Sequence, residues 1–132
     1  MGIGEVVKVI PKVPYEMSLA VQRNSDVLLY LGYSSKEHPG DGILSGKVFE
    51  YLQAKTPILA LNTDASHPLV ADNLICPANS VSEIVVLLES WLKSGKPLKQ
   101  ETHFDRGVLC KWTRKSQTER LLSVLSSLTN TV

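Results

Sequence analysis

The chain's 132 residues are enough for one domain with its own core, and 43% hydrophobic against 20% charged residues excludes a disordered tail. Fourteen Lys and Arg against thirteen Asp and Glu leave a formal charge of +1, so no global field drives the molecule onto nucleic acid or an anionic membrane. The only cysteines, Cys76 and Cys110, come without a CxxC pair or paired histidines, which falls short of the about four closely spaced ligands of a zinc site.

Val6 to Ile10 is rich in β-branched residues and is closed by Pro11, which predicts a strand. Tyr15 to Asn24 predicts a short helix entered through Pro14, with Met17, Leu19, Ala20 and Val21 toward one side. Val27 to Tyr33 is continuously apolar and predicts a strand buried on both faces, as in a parallel sheet. Ser34 to Gly42, with Pro39, Gly40 and Gly42 among polar residues, is a loop. Gly46 to Lys55 reads as a helix with Val48, Tyr51 and Leu52 on its apolar side and Phe49 beside them, stopped by Thr56 and Pro57. Ile58 to Leu61 is a second buried strand. Ser66 caps a small helix through Asp72 with Pro68 in its first turn, and Leu74 to Cys76 is a brief strand before Pro77.

Ser80, with Glu83 three residues on, forms a capping box for a helix to Lys93. Ser94 to Arg106 is polar and without period. Thr113 then caps a last helix to Leu128, whose buried side would carry Leu121, Leu122, Val124, Leu125 and Leu128. Strands alternating with helices predict an α/β fold, a three-layer Rossmann-like partial domain with about four mainly parallel strands and flanking helices. Residues 1–132 form a single domain. With no signal sequence and no apolar run long enough for a bilayer, the expectation is a soluble, cytoplasmic chain without a membrane span and without a nucleic-acid partner.

In open α/β sheets ligands bind beyond the carboxyl ends of the strands, at the loops that lead into the next helices. Ser45 and Gly46 lie at such a helix start, where unpaired N–H groups and the helix dipole favour an anion. Glu50 follows one turn later, where a carboxylate can accept hydrogen bonds from the two hydroxyls of a ribose. Together these would hold a nucleoside diphosphate; Glu50 read from periodicity alone is an exposed helix glutamate.

The stretch from Leu44 to Ala60, LSGKVFEYLQAKTPILA, resembles the (S/T)GK-x-FEYL-x-A-x-x-PI segment of group 1 glycosyltransferases of the B fold. Val13-Pro14-Tyr15 before a helix, followed by Ser25-Asp26-Val27-Leu28-Leu29, is similar to the same family's "vpy…aDvlL" region, so the resemblance covers nearly the whole chain. It implies the C-terminal, donor-binding domain of a retaining sugar transferase, truncated at its N-terminal side. Glu50 would match the glutamate that binds the donor ribose, and Leu44, Ser45 and Gly46 the backbone amides around the donor phosphates. Lys47 either neutralises a phosphate or solvates the first helical turn. The implied ligand is a nucleotide sugar such as a UDP- or GDP-sugar, with no other cofactor and no metal. A second family glutamate, two helical turns before the first, has Gly42 in its place here, with Asp41 and Glu37 nearby but out of alignment.

The family's acceptor-binding N-terminal domain has no counterpart in these residues. Neither do the first two strands of the donor domain, with the basic residues that clamp the diphosphate. In the family's strand order Val27 to Tyr33 would then lose a neighbour, which predicts a homodimer, a rearranged sheet or a missing N-terminal domain. No catalytic residue is assigned, and the chain alone should transfer nothing measurable. The alternative is a non-catalytic α/β module retained for assembly. His38 and His67 read as solvated loop histidines, Trp91 and Trp112 as packing residues, and Lys111, Arg114 and Lys115 as a solvated helix face. Tyr15 and Tyr33 are the aromatic residues that could approach a base or sugar.

Overall fold

The computed structural model describes residues 2–32, 45–63, 67–94 and 106–129. A short 3-10 helix, Ile3–Glu5, precedes α1 (Tyr15–Asn24) and β1 (Leu28–Leu31). Then come α2 (Gly46–Ala54), β2 (Ile58–Leu61), α3 (Pro68–Ala71), β3 (Cys76–Pro77) and α4 (Val81–Lys93). The described chain finishes with α5 (Arg106–Lys111) and α6 (Arg114–Thr129). The three strands form one parallel sheet in the order β1-β2-β3, with Leu28 opposite Ile58 and Leu59 opposite Cys76. Helices flank the sheet, so the architecture is α/β and fits a partial Rossmann-like fold, with three strands where about four were expected.

The missing strand is Val6 to Ile10. Val6 lies in a turn, the residues after it pair with no strand among the described residues, and Val6 and Val9 are more than four-fifths exposed. A run of β-branched residues favours a pleated surface only where another strand offers a ladder, and none does so among the described residues.

Each remaining element has a local cause. Pro14 opens α1 with an extended backbone, and Ser25 closes it by donating its N–H to Val21 O at 3.0 Å and its hydroxyl to the same oxygen at 2.8 Å. Ser45 caps α2 by accepting the Lys47 N–H at 3.4 Å. Val48 and Leu52, one turn apart, drive α2 onto the sheet, and burying each contributes on the order of 1.5–3 kcal/mol. Lys55 ends the helix in the left-handed region at φ 56°. The fully buried Thr56 then donates its hydroxyl to Gln22 O at 2.9 Å, fastening the end of α1 to the turn into β2.

The core joins Leu28 and Tyr30 of β1, Val48 and Leu52 of α2, and Ile58 and Ala60 of β2; Leu69, Leu74 and Ile75 complete it. As the central strand, β2 is buried on both faces over Ile58, Leu59 and Ala60. In β1, by contrast, Leu29 and Leu31 are 51% and 65% exposed. The expectation of a β1 covered on both faces is therefore corrected: an edge strand with one uncovered face can be as apolar as a central one.

Ser66, expected to cap α3, lies outside the described residues; the observed cap is His67, whose Nδ1 accepts the Leu69 N–H at 3.3 Å. The Ser80 hydroxyl caps α4 by accepting the Glu83 N–H at 3.2 Å, while Glu83 Oε2 reaches back to the Asn79 N–H at 2.7 Å, one residue earlier than the usual capping box. Ser80→Ala should cost about 1 kcal/mol, read as a lower urea midpoint at unchanged slope. A midpoint identical to the parent's would remove the cap from the account of α4.

Thr113 caps α6 as expected, accepting the Ser116 N–H at 3.2 Å. Its apolar side is not buried, however: Leu121, Leu122, Val124, Leu125 and Leu128 are all about half exposed or more. Periodicity defines the apolar side of a helix but supplies nothing to cover it. No helix among the described residues is long and apolar enough to cross a membrane.

Candidate functional site

Because β1, α2 and β2 form a parallel crossover, the amino end of α2 lies at the carboxyl edge of the sheet. Val48 and Leu52 fix the rotation of the helix about its axis by facing the core, and this turns Gly46, Phe49, Glu50 and Gln53 along one outer stripe. That stripe forms one wall of a cleft of about 780 Å³. Tyr15, at the start of α1, contributes to it, as do Trp112, Arg114 and Gln117 from the end of α5 and the first turns of α6.

Trp112 sets the spacing between these walls. Its indole N–H donates to Asp72 Oδ2 at 2.8 Å, and Lys111 Nζ stands 3.5 Å from Asp72 Oδ1, so the carboxylate after α3 pins the α5–α6 junction. The Trp112 ring is tilted against Phe49 with centroids 6.5 Å apart. Both contacts hold the ring in place: an aromatic pair carries packing energy beyond its buried area, and the half-buried indole N–H is satisfied.

Of the residues expected to bind the donor, Gly46 and Glu50 line the cleft. Ser45 is adjacent as the helix cap, while Lys47 is exposed and does not line the cleft. Leu44, Tyr33, His38 and the loop from Ser34 to Gly42, with Glu37 and Asp41, lie outside the described residues. A Cβ placed on Gly46 would meet nothing within 4 Å among the described residues. Glu50 is half-buried, and its carboxylate has no hydrogen-bond or ion-pair partner among the described residues. A carboxylate so placed can accept hydrogen bonds from a ligand through both oxygens.

Other candidates are spent on structure. His67 caps α3 and meets Tyr30 edge-on at 6.3 Å. Cys76 and Cys110 are both free thiols, and burial pushes the Cys76 thiol above its ordinary value, away from nucleophilic use. Among the described residues no three His, Cys, Asp or Glu side chains gather as a metal centre would require.

The opposite wall was not foreseen. Trp112 packs as expected, but it also borders the cleft, and Arg114 is exposed, as a solvated helix face requires, while also lining the cleft. Val108, Leu109 and Trp112, spaced by one and three residues and packed on the core, are the signal for α5; a helix of six residues is too short for that signal to stand out. Comparison of the chain with protein-family models, with curated proteins and with solved structures finds no match.

Proposed function

We propose that the chain is the donor-binding part of a retaining glycosyltransferase, holding a nucleotide diphosphate sugar in the cleft over α2. The observation that carries this reading is the Glu50 carboxylate, without a partner among the described residues and half-buried in the cleft wall one turn inside the amino end of the same helix. A ribose diol suits that carboxylate as a double donor, and phosphate oxygens suit the positive amino end of the helix dipole. On this reading the chain binds a UDP- or GDP-sugar and transfers nothing by itself. The edge of β1, unpaired among the described residues, is where a second copy, or the N-terminal domain that the resemblance implies, would add.

Titrating UDP and GDP while following thermal unfolding tests the proposal. A ligand at a hundred times its dissociation constant should stabilise the chain by about 2.7 kcal/mol, and Glu50→Ala should abolish most of that shift without lowering the unliganded midpoint. An equal shift in Glu50→Ala would remove the ribose role. The second reading, a non-catalytic assembly module, is favoured by the uncovered apolar side of α6 and predicts no shift with either nucleotide.

A further inference from the structure

The same cleft holds two unlike charges that do not meet. Glu50 on the α2 wall and Arg114 on the α6 wall both line it, and neither has an ion-pair partner among the described residues. The Phe49–Trp112 contact sets this arrangement, because Phe49 directly precedes Glu50 and Trp112 stands two residues before Arg114. Such a cleft suits a ligand with hydroxyl donors at one end and anionic oxygens at the other.

Arg114 is also badly placed for its own helix. It is the first residue of α6, where the dipole and the unpaired N–H groups disfavour a cation, and the first turn contains no acidic residue to offset it. Its neighbour Lys115 reaches Glu119 at 3.9 Å, whereas Arg114 makes no such pair. An anion in the cleft would satisfy the guanidinium and the helix start together. Lys55, the other basic residue of the cleft, sits at the carboxyl end of α2, where a cation already complements the helix dipole.

We propose that Arg114 is the diphosphate contact of this cleft, with its planar guanidinium binding phosphate oxygens in two-pronged fashion while Glu50 holds the ribose. The assignment rests on the nucleotide-sugar reading and adds a residue from the opposite wall to it. It also divides the ligand: nucleoside recognition belongs to α2, and recognition of the charged leaving group belongs to α6.

Calorimetric titration of the full chain with uridine, guanosine, UDP and GDP tests the division. Arg114→Gln should weaken binding of the diphosphate about tenfold or more while changing nucleoside binding less than about twofold. Arg114→Lys should recover part of the loss, because the charge remains and the fork does not. A diphosphate affinity unchanged in Arg114→Gln, with Glu50→Ala still impaired, would overturn the Arg114 assignment alone and leave the ribose site standing. Absence of binding by all four compounds to the parent chain would overturn both.

Discussion

Ile58→Ala is expected to lower stability by about 4 kcal/mol, a shift on the order of 2 M in the urea midpoint for a chain of this size. Ile58 is 1% exposed, lies in the central strand and belongs to the core cluster that both neighbouring layers share. Its removal costs the transfer free energy of the lost methyl and methylene groups together with the cavity they leave, and β2 cannot collapse into that cavity while hydrogen-bonded on both sides. Native domains have only about 5–15 kcal/mol in hand, so the variant should be largely unfolded in mild denaturant. Ile58→Val, which deletes one methylene, should lose about 1 kcal/mol and serves as the graded control. If alanine lost no more than valine, the core would not be centred on β2.

Gly32→Ala is the second large effect. Gly32 follows β1, and its N–H donates to Leu61 O at 2.8 Å. A Cβ there would stand 2.7 Å from Asn62 O, 2.7 Å from Thr63 Cγ2 and 3.0 Å from Leu61 O. Two of these three atoms are backbone, so the clash cannot be relieved by rotating a side chain; β1 and the segment after β2 must separate. The expected loss is about 3 kcal/mol, the upper end for overpacking, again read from urea unfolding. Thr63→Ser, which removes the one side-chain obstacle, should recover only a minor part of that loss in a double-mutant cycle. Full recovery would show that the methyl contact, and not the backbone approach, excludes a larger residue at this position.

Much of the fold was legible where a residue type has a local job. Pro14, Ser45, Pro57 and Ser80 mark starts and stops by their effect on φ or by capping, and α1, β2 and α4 run over the expected residues. What failed were three inferences about coverage, while the burial expected of Ile58 to Leu61, of Val48 and Leu52, and of Trp112 is observed. Val6 to Ile10 has strand chemistry without a strand to pair with, Leu29 and Leu31 are apolar and exposed, and the leucines of α6 form a stripe facing water. Propensity and period are properties of a segment, whereas burial belongs to two segments at once, and the second was not visible from the first.

The candidate site divides in the same way. Gly46 and Glu50 were found because they sit on one helix, at a spacing that the helix itself turns into a common stripe. Trp112 and Arg114 reach that stripe only through the Asp72 bridge and the Phe49 contact, both of which join positions far apart in the chain. Nothing in the local sequence around Arg114 shows that this exposed residue also lines a cleft.

The sheet has two unlike flanks. At β3 only Cys76 and Pro77 are paired, and proline has no N–H with which to extend the ladder. At β1 the main-chain groups of Leu29 and Leu31 point to a flank with no neighbour among the described residues, since those of Leu28 and Gly32 point to β2. Among the described residues, an arriving strand would find a rail at β1 and almost none at β3. Two molecules joined through β1 would use up both open rails at once, so lateral stacking would terminate at a pair, without the head-to-tail repetition that builds a filament.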